Sequence, residues 1–262
     1  MRFEFADRGN LKVRAETVAC TRPVTPLRLL FASDLHLFRS RHSPLIDQIL
    51  SAASDSRPDV ILLGGDLVDR AAALPALASL VRQLRQKAPV GAIAGNHDVW
   101  IGVSKVRRAV EQGGGLWLGD QSFFLPSVES PSLRIDGRLN MDLQASIPRI
   151  LCAHHPAIFP QAHRAGYRII LAGHLHGGQW VWAELGGRLF PGAWLNRWNG
   201  LRFEKPGATL LVSRGVSDTI PLRWNCPREV LLCTIGTDDS PKSDTVTEIE
   251  QIAQYRDEGT QK

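Results

Sequence analysis

Cysteine is scarce in this chain and long apolar runs are absent, and each lack removes a class of protein. The four cysteines, Cys20, Cys152, Cys226 and Cys233, include no CxxC pair, and Cys152 and Cys233 lie within apolar runs, where a thiol serves as a small core residue. They read as reduced and structural. No window reaches the ~20 apolar residues of a membrane-spanning helix, and the first ten residues carry Glu4, Asp7 and Arg8 where a secretory signal would be apolar. The expected location is cytoplasmic, with peripheral contact at the inner face of a membrane left open. Internal repeats and low-complexity segments are also lacking.

What is present is enough for one large core. The chain has 262 residues, 44% of them hydrophobic, and its length demands no second domain. The expected division is one domain over residues 1–236 and a polar tail over 237–262, where Ile249 and Ile252 are too sparse to form a core face. The 31 Lys and Arg exceed the 26 Asp and Glu, for a formal charge of +5. That balance favours anionic partners such as phosphorylated metabolites, nucleic acid or a lipid headgroup surface, without choosing among them.

Short apolar runs recur at 27–32, 60–63, 90–94, 150–153, 169–172, 209–212 and 230–235, after a stretch at 11–19 that alternates as an edge strand would. Between the first three runs, Ile46, Ile49, Leu50 and Ala53 fall at i, i+3, i+4 and i+7, and so do Leu77, Leu80, Val81 and Leu84. The first half therefore reads β-α-β-α-β, a largely parallel sheet covered by helices, whose ligand site belongs beyond the carboxyl ends of the strands. The Gly-, Pro- and Ser-containing stretch at 113–137 reads as loop and edge strand, and the late strands are separated by turns.

The polar side chains gather where such a site is expected. Five signatures each follow an apolar run: Ser33-Asp34-Leu35-His36, Gly64-Gly65-Asp66-Leu67-Val68-Asp69, Gly95-Asn96-His97-Asp98, Ala153-His154-His155-Pro156 and Gly173-His174-Leu175-His176-Gly177-Gly178. Singly each is weak. Together they are not, because a buried acid or imidazole costs several kcal/mol unless paired or ligated, and packing alone does not put one at five successive strand ends. Carboxylates, imidazoles and one amide oxygen, with no thiolate, suit Mn, Fe or Zn and argue against a structural zinc knot. Residues two apart at the end of an extended segment point the same way, so Asp34 with His36, and His174 with His176, are expected to converge on a metal pocket. Glycine before Asp66, Asn96 and His174 permits a tight turn and a close approach.

The ordered series DxH, GDxxD, GNHD, H and GHxH resembles the calcineurin-like metallophosphoesterase family over residues 27–235. The GHxHGGQ run at 173–179 and Val-Ser-Arg-Gly at 212–215 are similar to a bacterial branch of it. The resemblance implies an α/β fold of four layers, an α/β/β/α sandwich of two mixed sheets flanked by helices, with two divalent metal ions at one end. It implies Asp34, His36 and His176 on one ion, Asn96, His154 and His174 on the other, and Asp66 bridging. Manganese is the favoured metal. A hydroxide shared by the two ions would attack phosphorus in line with the leaving oxygen. His97 resembles the catalytic histidine, oriented by Asp98, while Asp69 is expected behind the ligands. His155, beside a ligand, is expected to face substrate or solvent, and His42 and His163 the surface.

For substrate contacts, Arg39 and Arg41 follow the first motif closely. Five of the seven tryptophans, Trp180, Trp182, Trp194, Trp198 and Trp224, fall after the last one, mixed with Arg188, Arg197, Arg202 and Lys205. They read either as core under a long loop or as an apolar, basic rim, with Trp194 and Trp198 touching a lipid-like substrate or a bilayer interface. The branch includes proteins similar to a UDP-diacylglucosamine pyrophosphatase, which makes a lipid-linked or UDP-sugar pyrophosphate the leading substrate. This chain departs from it in Leu175, where Thr is frequent, and in Trp180-Val181-Trp182. The alternatives are a nuclease or a nucleotide or cyclic-nucleotide phosphodiesterase on the same metals, with nucleic acid the less favoured partner, and a non-catalytic scaffold. The scaffold reading is disfavoured because all seven ligands are present. No protein partner is legible.

Overall fold

A computed structural model of the protein describes residues 3–5, 10–20, 26–38, 44–126, 131–141, 147–218, 220 and 222–237. In chain order the strands are β1 (Phe3–Phe5), β2 (Lys12–Cys20), β3 (Leu27–Ala32), β4 (Val60–Leu63), β5 (Val90–Ala92), β6 (Leu116–Trp117), β7 (Phe123–Pro126), β8 (Pro131–Asp136), β9 (Arg149–Cys152), β10 (Ile169–Ala172), β11 (Val181–Leu185), β12 (Arg188–Pro191), β13 (Arg202–Lys205), β14 (Ala208–Val212), β15 (Leu222–Trp224) and β16 (Glu229–Thr237). The helices are α1 (Pro44–Ser56), α2 (Leu74–Arg85), α3 (Asn96–Ile101), α4 (Val103–Gln112), α5 (Phe159–Arg164) and α6 (Gly192–Leu195).

Two six-stranded mixed sheets carry the fold, in the orders β2-β16-β3-β4-β5-β6 and β13-β14-β10-β9-β8-β7. In the first, β3 to β6 run parallel and β16 is antiparallel to β3. In the second, β14, β10, β9 and β8 run parallel between antiparallel β13 and β7. The period-2 alternation of a strand assigns the layers. Leu29 and Phe31 of β3 meet Ile150, Cys152, Ile169, Leu171 and Leu211 between the sheets. Leu30 and Ala32 turn the other way, under α1 and α2, with Ile49, Leu77, Leu80 and Val81. On the far side, Leu151, Ile170 and Leu210 pack with Phe159 and Ala162 of α5. The order of layers is helix, sheet, sheet, helix, as the resemblance implied, and each fully buried Leu or Ile of these cores contributes about 1.5–3 kcal/mol.

The helical spacings read from the sequence match the buried faces: Ile46, Ile49 and Ala53 of α1, and Leu77, Leu80, Val81 and Leu84 of α2, are buried. Of the 11–19 stretch, all but Leu11 lies in β2, at one edge of the first sheet. The 113–137 stretch holds β6 and the β7–β8 pair, with β7 the edge of the second sheet. The β11–β12 hairpin was not read from the sequence. Four of the five β11 residues are exposed, so its sequence carries no alternation, and its two-residue turn is Gly186-Gly187, both at positive φ. Beyond Thr237 the expected polar tail lies outside the described residues.

Candidate metal centre

The carboxyl ends of β3, β4 and β5 from one sheet and of β9 and β10 from the other open on the same rim, and the five signatures meet there. Cross-sheet hydrogen bonds join them: the His174 amide donates to both oxygens of Asp34, at 3.1 Å each, and Gly173 N donates to His154 O at 3.0 Å. The 212–217 segment forms a wall, since Val216 N and Ser217 N donate to Ser33 O and Asp34 O. The convergence of Asp34 with His36 and of His174 with His176 does not come from extended backbone, as the spacing suggested. All four residues, and Asp66, have left-handed φ between 45° and 72°. Such conformations cost of order 1–3 kcal/mol each and persist where surrounding bonds over-determine them. Here Asp34 N donates to Gly65 O and His36 N to Asp66 O, both at 2.9 Å.

Three donor clusters result among the described residues: Asp34 with His36 and His176, Asp66 with His154 and His174, and His36 with Asp69 and His97, the last sharing His36 with the first. In the first, Nε2 of His36 and His176 are 3.4 Å apart, and His176 Nε2 is 3.7 Å from Asp34 Oδ1. In the second, His154 Nε2 lies 3.0 Å from Asn96 Oδ1, 3.1 Å from His174 Nδ1 and 3.2 Å from Asp66 Oδ2. The same Asp66 oxygen is 4.0 Å from His36 Nε2, between the clusters. Glycine permits this approach: a Cβ on Gly95 would stand 2.2 Å from Asp66 Oδ1.

The donor set fits cations better than protons. His36 Nδ1 faces Asp69 Oδ1 at 2.8 Å, His154 Nδ1 faces Gly64 O at 2.9 Å and His176 Nδ1 faces Ser217 O at 3.1 Å. Each Nδ1–H donates outward, so each Nε2 lone pair turns inward, towards other lone pairs and carboxylate oxygens. A divalent ion in each of the first two clusters would satisfy all of them. Without one, charge accumulates on protons: burial disfavours a charged His154, but Asp66 and Asp34 raise it to about 9. Burial likewise opposes an ionised Asp66, and His154, with the His97 amide, overrides it and holds the carboxyl at about 2. His174, lowered by burial and then by His154 and His155, falls to about 4.

Asp98 is not where the sequence suggested. Its buried carboxylate accepts from the amides of Gly95, Leu67 and Val68 at 2.9 to 3.1 Å, closing the turn that starts α3. The acid on His97 is Asp69, whose Oδ1 is 2.8 Å from His97 Nδ1 and also serves His36. Asp98 thus shapes the backbone, and Asp69 contacts both His36 and His97. His155 is exposed beside the second cluster, with Nδ1 accepting from Ala157 N at 3.1 Å and its ring 4.4 Å from that of His174. Arg39, Arg41 and His42 lie outside the described residues. His163 is half-buried on α5, with Nε2 on Pro206 O.

The two tryptophans grouped as substrate contacts part company. Trp194 is 70% exposed on α6, beside Leu195 at 94% and edge-on to Trp182, itself 59% exposed. Trp198 is half-buried, edge-on to Phe159 and Phe203, and joins the core under the second sheet. Sequence reading missed Trp100, 75% exposed with its ring 4.7 Å from that of His97; its i+3 spacing from His97 was the available signal. It also missed Asp218 and Arg223, behind His176, which follow no ligand spacing.

The family model for calcineurin-like phosphoesterases (Metallophos) matches residues 27–178, more than half of the chain, and the protein belongs to that family. It is a phosphoester hydrolase of a family that binds two divalent metal ions. Among its relatives, phosphodiesterase YaeI of Escherichia coli (strain K12) is 28% identical over 223 residues, 79% of this chain and 81% of YaeI. The uncharacterized protein YpbG of Bacillus subtilis (strain 168) is 26% identical over 253 residues, 89% of this chain and 90% of its own. Of solved structures, TT1561 of Thermus thermophilus aligns with a TM-score of 0.44 at 13% identity, covering 74% of this chain and 91% of that one.

Proposed function

We propose that the protein hydrolyses phosphodiester or pyrophosphate bonds with two metal ions, one held by Asp34, His36 and His176, the other by Asn96, His154 and His174, and both by Asp66. The observation that carries this is the position of Asp66 Oδ2, 3.2 Å from His154 Nε2 and 4.0 Å from His36 Nε2. When bound, such a pair neutralises the phosphate oxygens and lowers the pKa of water, and manganese suits the mixed oxygen and nitrogen donors. The chain's own residues supply the rest. Asp69 accepts from His97 Nδ1–H, and in the imidazolium form His97 carries a second proton on Nε2, which it hands to the leaving oxygen to become the neutral ring. His155, with Nδ1 occupied by the Ala157 amide, offers an Nε2–H to a phosphate oxygen.

A diester is favoured over a monoester by the likeness to a relative named a phosphodiesterase. An acylated, lipid-linked phosphate or a UDP-linked acyl sugar is favoured among diesters and pyrophosphates by the exposed Trp182, Trp194 and Leu195 on the segment that follows His176. Trp and Leu at such a rim enter the headgroup region of a membrane, and Arg197, whose guanidinium stacks on Trp198, is placed in sequence to meet anionic lipid. No helix among the described residues is long and apolar enough to cross a membrane. Peripheral contact would therefore rest on this rim.

The test compares Mn-loaded protein on bis-p-nitrophenyl phosphate, p-nitrophenyl phosphate, a UDP-linked acylated sugar and a single-stranded oligonucleotide, with Asp66→Ala as control. The expected result is metal-dependent cleavage, strongest on the acylated substrate and lost in Asp66→Ala. Cleavage strongest on the oligonucleotide and falling steeply with salt would replace the lipid reading with a nuclease. Turnover unchanged in Asp66→Ala would overturn the metal mechanism.

A further inference from the structure

His176 is held from behind more elaborately than any other proposed ligand. Its Nδ1 is 3.0 Å from Asp218 Oδ1 and 3.1 Å from Ser217 O, two acceptors that are closer than the one donor near it, Arg223 Nη2 at 3.5 Å, and that favour a proton on that nitrogen. Asp218 is in turn gripped by both prongs of Arg223, with Nε 2.6 Å from Oδ2 and Nη2 2.7 Å from Oδ1. Arg223 is 1% exposed and also donates to Ser217 O and Cys226 O, at 3.3 Å each. Its strand, β15, is tied at both ends of the site: β1 pairs with it in the register Glu4↔Arg223, and Trp224 N donates to Gln179 O, three residues past His176.

A buried ion pair is a poor way to gain stability, since its desolvation cost rivals its attraction. It is a good way to fix one geometry, because a bidentate guanidinium holds a carboxylate in a single plane. We infer that Asp218 and Arg223 are positioning residues for one metal position only: Arg223 locks Asp218 against Nδ1 of His176, keeps the proton there, and aims the Nε2 lone pair at the Asp34 cluster. The inference rests on the reading of His176 as a metal ligand. It singles out one position because the corresponding partner of His154, in the other cluster, is a backbone carbonyl that no side-chain substitution removes.

The experiment uses the full chain stripped of metal. Titrated with Mn2+ in a calorimeter, Asp218→Asn should weaken one of two binding steps by roughly 10- to 100-fold and leave the other unchanged. Arg223→Lys, which keeps the charge and loses the fork, should weaken the same step by less. Ring-15N NMR of the native metal-free chain, with the His176 signal assigned by His176→Gln, should place the proton on Nδ1, and this readout stands even where Asp218→Asn fails to fold. Two unchanged binding steps in folded Asp218→Asn, or a native His176 protonated on Nε2 alone, would overturn the inference. Neither readout uses turnover, so a failure of the hydrolytic reading and a failure of this one are distinguishable.

Discussion

Asp69 Oδ1 lies 2.8 Å from Nδ1 of His97, and the same oxygen lies 2.8 Å from Nδ1 of His36. One carboxylate therefore orients both the proposed proton donor and a proposed metal ligand. Asp69→Asn would keep the volume and lose the charge that holds both rings. In metal-saturated protein we expect kcat to fall by one to two orders of magnitude, and His97→Ala to lower it by about 10²–10⁴-fold, the usual worth of a positioned proton donor. Asp98→Asn should behave differently: disturbing its hydrogen bonds to three backbone amides should cost about 1–3 kcal/mol of stability in a urea titration. Wild-type kcat in Asp69→Asn at saturating metal would remove it from the mechanism.

The close approach of Gly95 to Asp66 gives a steric prediction. At an ordinary φ of −104°, an alanine at 95 is not strained in itself, but its Cβ would meet the Asp66 carboxylate at 2.2 Å. Displacing that carboxylate disturbs the oxygen proposed to bridge both metals. A shift of about 1 Å at such a point costs roughly 100-fold in rate. Gly95→Ala should lose that activity and bind less manganese by elemental analysis. Full metal content with full activity would show that the loop relaxes around the methyl.

Much of this site was legible because the fold writes it at strand ends. Each apolar run of β3, β4, β5, β9 and β10 stops at a short polar signature, and the parallel order of those strands sends all five signatures to one rim. The layers followed from the resemblance, and the parity of Leu29 to Ala32 assigns each side chain to its layer. Two kinds of information were not legible. Hydrogen bonds formed at long sequence separation, as between His97 and Asp69 or His176 and Asp218, leave no spacing to read, so the adjacent Asp98 was given the role of Asp69. Exposed strands such as β11, which buries only Val181, leave no alternation, so the hairpin that displays Trp182 was read only as composition.

Just past that hairpin, α6 and the turn after it place differently two tryptophans that composition had grouped. Trp194→Ala should leave the melting temperature nearly unchanged, because the side chain is 70% exposed. If the rim meets lipid, this variant and Leu195→Ala should each weaken sedimentation with anionic phosphatidylglycerol vesicles by about tenfold, the worth of roughly 1.5 kcal/mol of apolar burial. Activity on a small soluble diester should be retained. Trp198→Ala, which empties a place between Phe159 and Phe203, should instead cost about 3 kcal/mol of stability and lower activity on all substrates alike. Vesicle binding unaltered in the double variant Trp194→Ala, Leu195→Ala would set the membrane reading aside.

Glu229 gives a prediction about acid. It is fully buried at the start of β16, and burial alone would raise its carboxyl, but Arg14 and Arg214 outweigh that and hold it below its ordinary value of 4.5. Arg14 Nε reaches Oε1 at 3.0 Å and Arg214 Nε reaches Oε2 at 2.7 Å, which ties β2 and the 212–217 wall of the metal centre to β16. A carboxyl with a depressed folded pKa binds fewer protons in the folded state than in the unfolded one. Its contribution is therefore fully present above about pH 4.5 and is lost as pH falls through the folded value. Glu229→Gln, which leaves both guanidiniums facing a neutral amide, should cost about 3–5 kcal/mol at pH 7. Urea midpoints for both proteins at pH 7 and pH 3 provide the check: the gap between them should narrow in acid, because the wild-type carboxyl is then closer to protonation. A gap that is constant with pH would mean that Glu229 acts through its shape and hydrogen bonds, and not through its charge.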